Sequence, residues 1–256
     1  MNAILFCIIV AVAAQRVVYT TNLKPHIDLQ ESLAVAHNTA VARKCGFDTV
    51  VREIRDAELV YNIAGHFNKI LILIQLAEVY DVVIWIDTDA RIMQPDEFCK
   101  LPALAPSHPI VMMRECNHIN TGVIILHSNA WLRALFLPTW WDLSRRYPVG
   151  YYYDQRTMYL AFYNKTLFPE FVDTCSLKDA RTRPGVAQLD VNTCSMRLFA
   201  QQSKSLFLVD PDHSPIRFNQ WYFISPDQFP CKNTLFKYGD IIVHTKYLSA
   251  FLHPRF

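Results

Sequence analysis

The sequence has no glycine-rich phosphate loop: neither G-x-G-x-x-G nor G-x-x-x-x-G-K-[ST] occurs, which excludes dinucleotide-binding and P-loop chemistry. Glycine is scarce altogether, with 6 residues, so collagen-like and Gly-rich low-complexity architectures are excluded too. No C-x-x-C occurs, which argues against zinc ribbons and thioredoxin-type sites. An excess of either charge is also missing. The 25 basic and 23 acidic residues leave +2, too weak a field for a protein that lives on nucleic-acid backbones. No apolar run reaches the ~18 to 20 residues of a membrane span, so no integral span is expected. What the chain has is apolar and aromatic content, 52% and 13% of 256 residues, enough for a large core.

The first fourteen residues stand apart. Thirteen of them are apolar, and small residues at Ala11 and Ala13 precede Gln15. A short apolar run with an A-x-A pattern is expected of a secretory signal peptide over 1–14, leaving 15–256 as one domain. The alternative is a buried first strand, which would place the protein in the cytoplasm. Without Cys7 the chain keeps six cysteines: Cys45, Cys99, Cys116, Cys175, Cys194 and Cys231. An even count fits an oxidising compartment but does not choose a pairing, and free buried thiols remain the alternative. One sequon, Asn164-Lys165-Thr166, is open to glycosylation in that compartment.

Strand and helix patterns then alternate. Arg16–Thr21 is a β-type run ending at Asn22. Asp28 with Glu31 predicts a capped helix start, with Leu29, Leu33, Ala36, Ala40 and Val41 as its apolar stripe and Gly46 as its stop. Phe47–Ile54 predicts a strand, His66–Tyr80 a helix, and Asp81–Ile86 a central strand buried on both faces. This β-α-β-α-β order predicts an α/β fold: one mixed, mostly parallel sheet flanked by helices. Ligands of such sheets gather at the carboxyl ends of the strands. That singles out Asp87-Thr88-Asp89 after the central strand. Two carboxylates one residue apart at a strand end suit a hard divalent cation, although a bare D-x-D is also a common solvated turn.

At this point the residues resemble a family. Phe67-Asn68-Lys69 with Val83-Ile84-Trp85-Ile86-Asp87-Thr88-Asp89-Ala90 is similar to the core of nucleotide-sugar glycosyltransferases of the GT-A fold. More narrowly it resembles the galactosyl/mannosyl/xylosyltransferase group with its W-K and W-hydrophobic-D-S-D-A patterns. Asn120-Thr121-Gly122 through Leu126, followed by Asn129 and Trp131, is similar to N-T/A-G-x-F-L-x-R-N-x-x-W. Asp154-Gln155 resembles the family's D-Q pair, and Tyr238-Gly239-Asp240 through His244 its closing G-D-F-V-x-H. Phe218-Asn219 resembles an F-N pair between them. The motifs stand in the family's order across Arg16 to His244. Departures are Phe67 for Trp, Thr88 for Ser, His127 where Arg is common, and Thr245-Lys246-Tyr247 for Phe-Ala-Gly. Pro138 is expected to kink or split the helix after Trp131.

The resemblance implies a metal-dependent transferase that moves a sugar from a UDP- or GDP-sugar to a hydroxyl of a glycan or glycoprotein, with retention, in the Golgi or ER lumen or after secretion. It implies Mn²⁺ or Mg²⁺ held by Asp89 directly, by His244, and by Asp87 nearer the sugar or through water. It implies donor contacts from Thr21, Asn22, Lys69, Asp87, Thr88, Asp89, Asn120, Thr121, Gly122 and Lys246, with Asp154 and Gln155 at the reacting sugar. Structural roles compete at several positions. Asp87 would cap a strand end, His244 would be a satisfied core residue, and Lys69, expected to reach a phosphate or pin the metal loop, would instead lie along the surface. Asn120-Thr121-Gly122 would be a turn, and Asp154 a helix N-cap. Trp131, Trp140, Trp141 and Trp221 are expected in the core rather than stacked on sugar. Rival classes are a catalytically inactive GT-A glycan-binding or scaffold protein and a metal-dependent nucleotidyltransferase. The leader makes a direct prediction: material exported from a secreting host begins near Ala14 or Gln15, and N-terminal sequencing that finds Met1 refutes it.

Overall fold

The computed structural model of the chain describes residues 15–23, 27–53, 67–115, 118–147, 153–162, 164, 166–168, 206–209, 218–221 and 242–245. The apolar residues 1–14, Lys246, Gly239, Asp240, and the cysteines Cys116, Cys175, Cys194 and Cys231 lie outside them. For β7 to β9 (Leu206–Val209, Phe218–Trp221 and Ile242–Thr245) the backbone is described, and of their side chains only that of Ile242.

Strand β1 (Val17–Leu23) is followed by α1 (Leu29–Lys44), β2 (Asp48–Glu53), α2 (Asn68–Ala77) and β3 (Val82–Ile86). The α1 boundaries follow from local chemistry. Asp28 accepts a hydrogen bond from the Glu31 amide at 2.8 Å, and Gly46 takes φ +75° just beyond the last turn. Its buried face, however, is not the expected one. Leu29, Leu33, Ala36 and Ala40 point to solvent, while Ala34, Val35, Asn38, Val41 and Ala42 are buried. The inner stripe thus carries an asparagine at its centre, because that side chain meets β4 (Ala90–Ile92) rather than an apolar neighbour.

After β4 come the short α3 (Pro95–Phe98), β5 (Ile110–Glu115) and β6 (His118–His127). A widened π-helical turn, Leu132–Phe136, leads into α4 (Leu137–Arg146), with Pro138 in its first turn, and α5 spans Tyr153–Phe162. The expected split at Pro138 therefore takes the form of that turn: the missing N–H removes one bond of the helix, and the wider turn absorbs the loss.

The main sheet has strand order β2-β1-β3-β6-β5-β7. Only β6 runs against the rest, pairing antiparallel with β3 and β5, so the sheet is mixed and mostly parallel as expected. Beside it lies a second, three-stranded sheet, β4-β9-β8, which corrects the expectation of a single one. Every residue of β3 is buried, since both faces of the sheet are covered. On one face Trp85, Val83 and Val18 pack with Phe67, Ile70, Leu73, Phe136, Trp140 and Phe162. On the other, Tyr19, Ile84 and Ile86 pack with Val41, Ala42, Ile92 and Phe98. Trp140 is fully buried, and Trp131 and Trp141 pack partly buried against the first of these clusters, so these three lie in the core as expected. His127 fills its place by directing Nε2 to the Leu104 carbonyl at 2.9 Å, and burial lowers its pKa.

Cys45, at the end of α1, forms a disulfide with Cys99, just past α3. It closes a loop with a sequence separation of 54, which by loop entropy restricts the unfolded chain by about 4 kcal/mol. Replacing both cysteines with alanine is expected to lower unfolding free energy in urea by up to that amount. A double variant as stable as the parent would show that the bridge adds nothing.

Candidate active site at the strand ends

Because β6 is reversed, its first residues lie beside the carboxyl end of β3. Ile86 pairs with Val123, and the Asp87 amide then donates to the Gly122 carbonyl at 2.7 Å. The pairing of β6 with β5 slips here: Met112 faces Ile124 while Met113 faces Asn120. Thr121, Gly122 and Val123 form the bulge between them. Asn120-Thr121-Gly122 therefore leads from a paired residue into a bulge inside a strand, not into the turn that competed for these residues. The bulge takes carbonyls out of the β5 ladder and turns them to other partners. Asn120 Oδ1 accepts from the Gly122 amide at 2.5 Å and holds its shape.

Lys69, in the first turn of α2, reaches into this corner. Its ammonium donates to the Thr121 carbonyl at 2.8 Å and to Asp154 Oδ2 at 2.9 Å, and lies 3.1 Å from Asp87 Oδ1. The indole ring of Trp85 sits 5.3 Å away, and its N–H donates to the same Asp87 oxygen at 2.6 Å. Lys69 is 2% exposed, which rules out the surface role. An ammonium has three N–H bonds, and three protein oxygens meet them. Lys69 pins the acidic loop. Burial, the largest influence, works to lower its pKa, but the charges of Asp154 and Asp87 and their hydrogen bonds outweigh it, so the pKa stands above the ordinary value.

Asp154 lies within the first turn of α5, after Tyr153, and its carboxylate is turned to Lys69, so it is not the helix N-cap. Its backbone is fixed from α4. Trp140 Nε1 donates to the Asp154 carbonyl at 3.0 Å and to Thr157 Oγ1 at 3.1 Å, and Ser144 Oγ lies 2.9 Å from Thr157 Oγ1. Gln155 follows, half-buried. On the other side of β3, Thr88 is buried and Asp89 half-buried in a turn closed by the Ala90 amide on the Asp87 carbonyl at 3.0 Å. Ala90 pairs with His244 across the β4-β9 ladder, so the histidine's backbone stands one residue from Asp89. Among the described residues no three His, Cys, Asp or Glu side chains converge on one point.

At the end of β1, Asn22 is nearly buried and Thr21 fully so. The Thr21 hydroxyl and Asn68 Nδ2, next to Lys69 in sequence, are buried without a hydrogen-bond partner among the described residues. Two contributors escaped the sequence reading. Trp85 carried a signal: two residues before Asp87, it lies on the same strand face. Asn38 carried none, since the α1 stripe it centres is recognisable only in the fold.

Neither a family model nor a curated protein sequence matches the chain. Among solved structures, a glycosyltransferase involved in the glycosylation of the major capsid of PBCV-1 is similar, with a TM-score of 0.55 and 16% identity. The match covers 90% of this chain and 92% of that one. The chain has the GT-A glycosyltransferase fold. Looser likenesses are to mouse xyloside xylosyltransferase 1 (TM-score 0.43, 10% identity, 90% and 97% covered) and to the galactosyltransferase LgtC (0.39, 10%, 90% and 87%). At those scores neither carries an argument.

The pin has a measurable consequence. Lys69→Met keeps the length and removes the charge, leaving two carboxylates facing each other. The expected loss is about 3 kcal/mol or more in urea unfolding, given how breaking a buried ion pair behaves. Because the Lys69 pKa is raised in the fold, its contribution is whole below its ordinary value of 10.5 and is lost as pH rises through the folded value. The gap between parent and variant should hold from neutral pH up to the ordinary lysine value of 10.5 and narrow only above it. A variant within about 0.5 kcal/mol of the parent would refute the pin.

Proposed function

We propose that the protein is a glycosyltransferase that moves a hexose or pentose from a UDP- or GDP-sugar to a hydroxyl of a glycan or glycoprotein, with retention. The observation that carries this reading is the convergence on one buried ammonium of three segments far apart in sequence: Asp87 after β3, the Asn120-Thr121-Gly122 bulge, and Asp154 of α5. These are three of the motifs by which the chain resembles the galactosyl/mannosyl/xylosyltransferase group, and they meet at the strand ends where this class of sheet takes its ligands. A site assembled in this way is more than a scaffold needs.

The charge balance supports a cation. Asp87, Asp89 and Asp154 bring three carboxylates to this edge, and the Lys69 ammonium lies between two of them. The carboxylates of Asp87 and Asp89 would hold Mn²⁺ or Mg²⁺, joined by the His244 imidazole that the resemblance implies, whose backbone pairs with Ala90. When bound, the ion supplies Lewis acidity toward the departing diphosphate. The protein's own part is electrostatic and positional. Asp154, held by Lys69 and by the Trp140–Thr157 bonds, sets a fixed negative charge beside the sugar as it gains positive character, and the Gln155 amide accompanies it. Thr21 Oγ1, a buried hydroxyl with no hydrogen-bond partner among the described residues, supports donor binding at the end of β1, where Asn22, Thr88 and Asn120, with Lys246 as the resemblance implies, would contact the nucleotide sugar. The Cys45–Cys99 bridge and the apolar leader support a secretory lumen as the place of action.

A panel of UDP- and GDP-sugars tests the reading. Mn²⁺-dependent release of nucleoside diphosphate is expected, and release of pyrophosphate would favour a nucleotidyltransferase instead. Asp89→Ala should cost activity by several orders of magnitude with the fold retained; unchanged rate and Mn²⁺ dependence would exclude Asp89 as a ligand. Asp154→Asn should lower kcat by about a hundredfold or more while nucleoside diphosphate affinity changes little. Near-parental turnover in that variant would leave Asp154 a purely structural partner of Lys69.

A further inference from the structure

We propose that Asn38, seconded by His37, is a positioning residue for the acidic turn: from α1 it substitutes for the missing neighbour strand of β4 and so sets where Asp89 stands. The strand has only three residues, and along a strand the backbone groups of alternate residues face opposite edges. Arg91 faces β9, where it pairs with Val243. Ala90 and Ile92 therefore present their amides and carbonyls to the other edge, which no strand covers among the described residues. All four groups are nonetheless satisfied. Asn38 Nδ2 donates to the Ala90 carbonyl at 2.8 Å, and the Ile92 amide donates to Asn38 Oδ1 at 2.9 Å. His37 Nε2 donates to the Ile92 carbonyl at 2.8 Å, and the Ala90 amide donates to the Asp87 carbonyl at 3.0 Å.

The chemistry selects an amide at position 38. A carboxamide alone among side chains of that size presents a donor and an acceptor side by side, as a peptide group does. Aspartate can receive the Ile92 amide but has nothing to give the Ala90 carbonyl, and leucine offers neither. The contact is enclosed: Asn38 and Ala90 are fully buried and Ile92 nearly so, which leaves water no place to substitute. The grip acts on the turn because Asp89 directly precedes Ala90, and the last of the four bonds closes that turn. It acts on His244 as well, whose backbone faces Ala90 in the ladder. The helix that makes the grip is tied again at its end, where Cys45 is bonded to Cys99 downstream of β4. The segment carrying β4 is thus fastened to α1 at both ends, and the turn has little freedom left.

This inference rests on the reading that Asp89 helps hold a divalent cation. The test uses the full chain and two readouts: binding of Mn²⁺ alone, followed by the loss of the free-ion EPR signal, and the Mn²⁺ concentration giving half-maximal donor hydrolysis. Asn38→Asp, with a parental circular dichroism spectrum, is expected to bind Mn²⁺ about 10- to 100-fold more weakly, as removal of a group that orients a ligand does. Its half-saturating concentration should rise in parallel while kcat at saturating Mn²⁺ recovers to near the parental value. A merely structural asparagine would lower the melting temperature and leave the folded protein's Mn²⁺ affinity untouched; that result overturns the proposal. Should Asn38→Asp fail to fold, His37→Phe keeps a ring at a half-buried position and removes only the bond to Ile92. A smaller weakening in the same direction is then expected, and parental affinity overturns the proposal. Parent protein that binds no Mn²⁺ sinks the metal reading and this inference with it. Binding by the parent that a folded variant equals sinks this inference alone.

Discussion

A single buried ammonium sets the terms for the rest of this molecule. Removing a charge from water costs several kcal/mol, so Lys69 is tolerable only where fixed oxygens surround it. The oxygens come from the end of β3, from a bulge in β6 and from the first turn of α5. Each source places a demand on the fold. Strand β6 must run against its neighbours so that its beginning meets the end of β3, and its ladder with β5 must slip so that the Thr121 carbonyl is available. The first turn of α5 must be held at one height, which the Trp140 indole does from α4. The cation also keeps the two carboxylates it joins from repelling each other, and so permits a concentration of negative charge that the unpaired groups would not sustain.

The second small sheet serves a related purpose on the opposite side of β3. The chain leaves β3, makes the Asp87-Thr88-Asp89 turn and enters β4, which abandons the main sheet for β9. An acidic turn between two sheets has no ladder of its own to define it. Its geometry comes from side chains: Asn38 and His37 on one edge of β4, Trp85 and Lys69 on the Asp87 carboxylate. One turn is therefore gripped from both helical layers of the molecule: the Asp87 carboxylate from one face of the sheet, and the backbone that follows Asp89 from the other.

Much of this was legible in the residues themselves. The α1 cap at Asp28, its stop at Gly46, the all-buried β3 and the interruption near Pro138 follow from local rules: capping chemistry, the conformational freedom of glycine, apolar runs and the missing amide of proline. Asp87, Asn120 and Asp154 could be picked out by resemblance to a family. Their meeting at Lys69 could not, since a lysine in an apolar helix start reads equally as a surface residue until its acceptors are known. The buried face of α1 was misread for a similar reason. Leu29 and Leu33 looked like core residues, and nothing near Asn38 in sequence says that a three-residue strand fifty positions later needs its amide.

The sequence by itself determined the elements, the class of sheet and the residues able to do chemistry, because each of these depends on neighbours within a few positions along the chain. Only the tertiary structure decided which charges are paired, that β6 carries a bulge, and that α1 grips β4. The contacts of Asn38 with Ala90 and of Lys69 with Thr121 and Asp154 join groups 52 to 85 positions apart along the chain, and their energies exist only once water has been excluded between them.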